Sequence, residues 1–82
     1  MPLILYKSAL CPRCAAAARA LKKLAAEDPS LLVEEVDILA APRRAWRDGI
    51  RMIPAVKDGD RLLSGLFLSE KAIADFIRAG RR

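Results

Sequence analysis

The chain has 82 residues, of which 54% are hydrophobic, and carries a net charge of +5 at pH 7 with a pI near 9.8. A chain this short is expected to form one domain over residues 1–82 that buries about 60 to 65% of its unfolded surface, with no room for a second. No apolar run approaches the roughly 18 to 20 residues of a membrane span, and residues 3–6 are too few for a secretory h-region, so the sequence reads as a monomeric, cytoplasmic protein with no membrane partner.

In chain order, residues 3–6 form a short continuous apolar run ending at Lys7 and Ser8, which suits a strand buried on both faces. From residue 11 to 28 the period changes. Cys14, Ala17, Ala18, Leu21, Leu24 and Ala25 recur at helical spacing, while Arg19, Lys22, Lys23 and Glu27 fall largely on the solvated side. Pro12 belongs at the first helical position, where its missing N–H costs nothing, so the helix is expected to begin directly behind Cys11 and to end before Pro29.

Residues 31–38 are apolar and β-branched enough for a second strand. Pro42 then opens a short helix closed by Asp48 and Gly49, with Trp46 as its expected anchor. Residues 55–57 and 61–64 flank Asp58-Gly59, a dipeptide favoured in the type I′ turn of a hairpin. Ser69 is a good N-cap for the last helix, with Leu68 and Ile73 as a hydrophobic staple, Ala72, Ile73, Phe76 and Ile77 as its inward stripe, and Gly80 as its stop. Fifteen residues are alanine and fill little volume, so the bulk of the core is expected from Leu, Ile and Val together with Phe67, Phe76 and Trp46. The order β-α-β-α-β-β-α predicts an α/β fold, with a right-handed parallel pair joined to an antiparallel hairpin.

Cys11 and Cys14 carry the chemistry. A disulfide across three positions closes too small a loop to staple a fold, and in a reducing compartment such a pair is redox-active or metal-binding. A four-ligand metal site would need two more Cys or His, and the chain has no His and only these two Cys, so no metal is expected. A thiol reacts as thiolate, and Cys11 at the helix start meets free N–H groups and the positive end of the dipole, with Arg13 and Lys7 as local cations. Cys14 lies one turn deeper on the inward stripe, close enough for the two sulfurs to meet. The asymmetry makes Cys11 the attacking thiol and Cys14 the resolving one.

The excess of arginine suggests nucleic acid first. Arg43, Arg44, Arg47 and Arg51 are not part of a recognised nucleic-acid motif, and Arg81 and Arg82 read as a solvated tail. No nucleic-acid partner is therefore expected, and a basic surface attracting acidic thiol substrates or protein partners is favoured.

With Cys11-Pro12-Arg13-Cys14 behind the first strand and Ile53-Pro54 opening the hairpin, the chain resembles the glutaredoxin branch of the thioredoxin superfamily over nearly its whole length. Leu10 before the first Cys, the acid-free run at residues 3–6 and the lack of an additional N-terminal strand and helix favour that branch over thioredoxin itself. The resemblance implies a thioredoxin-like fold, a four-stranded mixed sheet flanked by helices. It also implies a cis peptide bond before Pro54, and an Ile53 backbone free to pair with an extended substrate. Lys7, Pro12, Arg13, Ile53, Pro54 and Gly65 become the candidate substrate-binding residues beside Cys11 and Cys14. Arg13 replaces the family's Tyr, Met52-Ile53 its Thr-Val and Ser64-Gly65 its Gly-Gly; Ser69-Glu70 stand near its helix-start residues. Residues 66–68 either lead into the last helix or seat a protein partner.

The expected activity is thiol-disulfide oxidoreduction of protein or small-thiol disulfides, with no bound cofactor and with glutathione or a flavoprotein reductase as electron donor. The alternatives are a glutathione-assisted iron-sulfur or metal carrier, and an interaction module without redox turnover.

Overall fold

The computed structural model describes residues 3–65 and 67–80, so the expectations placed on Leu66, Arg81 and Arg82 lie outside the described residues. The first strand, β1 (Leu3–Lys7), is apolar on both faces: Leu3 and Leu5 join one hydrophobic cluster, Ile4 and Tyr6 another. Such a strand must have a neighbour on each edge and a helix on each face. β2 (Val33–Asp37) pairs parallel to it on one side, while β3 (Ala55–Asp58) pairs antiparallel on the other and is followed by β4 (Arg61–Ser64), giving the order β2-β1-β3-β4. The expected mixed, four-stranded sheet is present.

Between the strands run α1 (Pro12–Glu27), α2 (Pro42–Arg47) and, after the hairpin, α3 (Glu70–Ala79). α1 and α3 cover the Leu3, Leu5 and Val56 face with Ala17, Leu21, Ile73 and Ile77. α2 covers the opposite face, where Tyr6, Val36 and Ala55 gather around Ala45. Ser69 caps α3 as expected, its Oγ accepting the Ala72 N–H at 3.1 Å, and Leu68 and Ile73 are both buried behind that cap. Phe76 is only partly buried, against the same cluster. Gly49 follows α2 with φ +76°, the left-handed stop that the sequence suggests.

Four local expectations are corrected. Trp46 does not anchor α2: it is 76% exposed, and Ala45 is the residue that turns inward. Six residues offer a single inward face, and the position after Ala45 is rotated by about 100° away from it. Phe67 is likewise 67% exposed, leaving Leu68 to enter the core. β2 is shorter than residues 31–38, because its parallel register with β1 runs only from Leu3 opposite Val33 to Lys7 opposite Asp37, and Leu32 is exposed. The hairpin pairs Asp58 with Arg61, so the turn residues are Gly59 and Asp60; φ is positive (+61°) at Gly59 alone, as in a type II′ turn and not a type I′.

Two contacts that periodicity does not foretell tie helices to the sheet. The Tyr6 hydroxyl, fully buried, donates to the Asp48 carboxylate at the end of α2. At the hairpin end, the Arg61 guanidinium lies 4.1 Å from the centroid of the Phe76 ring and donates to the Phe76 carbonyl at 2.7 Å, which fastens α3 to β4. Among the described residues no helix is long and apolar enough to cross a membrane.

Candidate active site

The chain leaves β1 at Lys7 and turns tightly before α1. The Cys11 N–H donates to the Ser8 carbonyl at 3.1 Å, and the Leu10 N–H to Ser8 Oγ at 3.3 Å, so one serine shapes the turn. Cys11 then occupies the N-cap of α1 with extended backbone (φ −107°, ψ 108°), and Pro12 follows in the first turn. Its Sγ accepts the Cys14 N–H at 3.2 Å, the bond that a serine or aspartate oxygen makes at an ordinary helix start. Both cysteines are free thiols; Cys11 is half-buried and Cys14 fully buried on the inner side of α1.

Their acidities are displaced in opposite directions. Hydrogen bonding from the Cys14 side chain, joined by the Cys14 backbone N–H and the positive charge of Arg13, holds the Cys11 thiol below its ordinary pKa, against the partial burial that opposes it. No acidic side chain lies in the first turn of α1 to counter that preference, and the positive end of the helix dipole also favours the anion. Burial, reinforced by the hydrogen bond to Cys11, pushes the Cys14 thiol up to about 11, while a backbone hydrogen bond from Ser8 works the other way. The pair is therefore one sulfur that gives up its proton more readily than an ordinary thiol and one that keeps its proton at neutral pH.

Arg13 acts on Cys11 as the sequence suggests, but Lys7 does not. Its side chain lies on the α1 side of the sheet and pairs with Glu35 of β2, Nζ to Oε1 3.4 Å. The reason is register: Glu35 stands opposite Leu5 on the same face as Lys7, so a carboxylate is within reach of the ammonium.

The peptide bond between Ile53 and Pro54 is cis, and Pro54 is fully buried. Because Tyr6 pairs with Ala55, and Ala55 with Ser64, Pro54 and Gly65 both fall at the end of the sheet from which the Cys11 turn departs. The expected residues thus share one end of the molecule. Gly65 is half-buried, with space for a Cβ 3.5 Å from Leu68.

Two clefts open near this end. One, of about 230 Å³, is apolar and lined by Ile38, Pro42, Trp46, Ile50, Met52 and Ile53, with the Arg51 guanidinium 5.8 Å from the centroid of the Trp46 ring. The other, of about 290 Å³, has Cys11 in its wall together with Lys7, Ser8, Arg19, Lys22 and Glu35. The helical period puts Arg19 and Lys22 on the solvated side of α1. Their offsets of eight and eleven from Cys11, with Ala15 and Ala18 between, are the signal that places them along one stripe with the sulfur. Among the described residues no three His, Cys, Asp or Glu side chains gather as a metal site.

The backbone is similar to those of thioredoxins. It matches thioredoxin 1 from Thermosipho africanus with a TM-score of 0.73 at 15% identity, covering 100% of each chain. A mutant thioredoxin from Halobacterium salinarum gives 0.78 at 24% identity over 94% of this chain and 71% of that one. Oxidised thioredoxin from Plasmodium falciparum gives 0.78 at 14% identity over 98% and 80%. At such identities the shared property is the fold, and the chain has the thioredoxin fold. No protein-family model matches the sequence, and no curated protein is significantly similar to it.

Proposed function

We propose that this thioredoxin-fold chain is a glutaredoxin-like dithiol oxidoreductase that reduces protein or low-molecular-weight disulfides as a monomer in the cytoplasm. The observation that carries the reading is the Cys11 sulfur at the N-cap of α1, accepting the Cys14 N–H at 3.2 Å while its neighbour stays buried and protonated.

In the proposed reaction the Cys11 thiolate attacks one sulfur of a substrate disulfide. A bond forms between the two sulfurs, the substrate's S–S bond breaks, and the departing thiolate takes the electron pair and then a proton. Cys14, giving up its proton, attacks Cys11 Sγ and expels the second substrate thiolate. The substrate has then gained two electrons and the protein holds an intramolecular disulfide, which glutathione or a flavoprotein reductase reopens. Ile53, beside the cis peptide bond, would offer its backbone to an extended substrate, with Pro12, Arg13 and Gly65 around it.

The test uses two variants of the reduced protein with a model disulfide. Cys14→Ser is expected to stop at a one-to-one mixed disulfide on Cys11, visible by mass spectrometry, whereas Cys11→Ser is expected to form no adduct. Full disulfide-reductase turnover by Cys11→Ser would show the mechanism to be wrong.

A further inference from the structure

The cleft along α1 has a property that neither the fold nor the cysteine pair requires. Ala15, Arg19 and Lys22 follow Cys11 at offsets of four, eight and eleven, so they line one groove that begins at the reacting sulfur. At 1.5 Å per residue the Arg19 backbone lies about 12 Å along the axis from Cys11, and its side chain leans back toward the helix start, as every Cα–Cβ bond in an α-helix does. Across the groove the one carboxylate, Glu35, is held by Lys7 at 3.4 Å. Arg19 and Lys22 have no acidic partner among the described residues. Two uncompensated cations thus share a cleft of about 290 Å³ with the sulfur. That volume suits one arm of a small molecule and not a folded protein.

We propose that this cleft is a subsite for the anionic arm of a small disulfide, in which Arg19 and Lys22 hold a carboxylate or sulfonate while the adjoining sulfur meets Cys11. The inference rests on the oxidoreductase reading and narrows its substrate class to small, negatively charged disulfides. The exchange itself is unchanged: the Cys11–substrate bond forms, the substrate's S–S bond breaks, and the leaving thiolate carries off the electron pair. The two alanines leave room for the arm to lie along the helix.

The experiment measures second-order rate constants for the fully reduced protein with four small disulfides: dithiodipropionate, dithiodiethanesulfonate, neutral hydroxyethyl disulfide and cationic cystamine. Both anions are expected to react at least about tenfold faster than cystamine at low salt, and the gap to close as ionic strength rises. Rapid reaction of the carboxylate but not the sulfonate restricts the subsite to carboxylates; equal rates assign it to oxyanions generally. Arg19→Glu with Lys22→Glu is expected to lower the anion-to-neutral rate ratio by about tenfold or more. Arg43→Glu with Arg47→Glu, the same change of net charge placed on α2, is expected to leave that ratio within about twofold of wild type. Circular dichroism of both double variants checks that these exposed substitutions leave the fold intact, and Arg19→Gln with Lys22→Gln provides a milder second pair. Equal losses from the two glutamate pairs, or no preference among the four disulfides, would overturn the subsite while leaving the oxidoreductase standing. Failure to reduce any of the four would overturn the subsite, and failure to reduce the disulfides of insulin as well would remove the oxidoreductase too.

Discussion

The Tyr6 hydroxyl and the Asp48 carboxylate, 42 residues apart in sequence, meet across the face of the sheet that α2 covers. Tyr6 is fully buried in β1 and Asp48 is the C-cap of α2, so this bond fixes the end of a helix too short to hold itself in place. Burial, assisted by the bond to Asp48, raises the tyrosine's pKa above its ordinary value.

Replacement Tyr6→Phe keeps the ring and removes the donor, and is expected to cost about 1 to 3 kcal/mol in urea unfolding. The raised pKa also fixes a pH dependence. A phenol whose folded pKa lies above its unfolded one stabilises the fold fully below pH of about 10, and that contribution is lost as pH climbs through the folded value. Wild type should therefore lose stability above pH 10 more steeply than Tyr6→Phe. Parallel alkaline unfolding curves for the two proteins would contradict the assignment.

Alkylation of the two thiols should separate them. With its pKa held low, Cys11 is expected to outpace a free cysteine peptide near pH 6, its rate falling only as pH drops through that lowered value. Cys14, pushed up to about 11 and buried, should remain unmodified in the native protein at neutral pH and react only on unfolding. Peptide mapping after a timed iodoacetamide pulse across pH 5 to 9 measures both.

Ser69→Ala removes the oxygen that accepts the Ala72 N–H at 3.1 Å. The expected cost is about 1 kcal/mol, read as a lower denaturant midpoint with an unchanged slope. Ser69→Asp should restore most of it, since a carboxylate caps the same N–H and favours the helix dipole.

Leu21 and Trp46 make a paired test of where the core lies. Leu21, with no exposed surface, is expected to cost about 2 to 5 kcal/mol as Leu21→Ala, whereas Trp46→Ala should stay within about 0.5 kcal/mol of wild type. Trp46 is the sole tryptophan, so its emission maximum in the folded protein should already sit near that of the unfolded chain. A large red shift on unfolding would mean that the indole is covered.

Much of the site was legible because it is local. The Cys11-Pro12 start of α1 and the spacing to Cys14 are set within one helical turn, where capping and dipole rules act directly on sequence neighbours. The order of elements along the chain also followed from short-range signals, the turn at residues 58–61 and the apolar runs on either side, whereas the pairing of β1 with β3 that sets the strand order of the sheet did not. Contacts made by register were not legible: Lys7 finds Glu35 only because β2 pairs parallel with β1 at that offset, and Tyr6 finds Asp48 only because α2 crosses the sheet there. Trp46 and Phe67 misled for a different reason. Side-chain hydrophobicity says what burial would gain, but which position of a six-residue helix or a loop faces inward is decided by backbone geometry, and Ala45 and Leu68 hold those inward positions. Arg19 and Lys22 escaped notice because cations opposite an apolar stripe look the same in sequence whether they face bulk water or a groove.

In the proposed exchange, the buried proton on Cys14 sets the tempo of release from Cys11. In the reduced pair burial, reinforced by Cys11, holds that proton with a pKa of about 11, so release in the proposed exchange waits on its removal. The delay shortens by itself once capture has happened, because a Cys11 tied up as a disulfide no longer presents the negative charge that helps keep its neighbour protonated. In that scheme capture arms release, and the waiting period is tuned by how dry the inner face of one helix is kept.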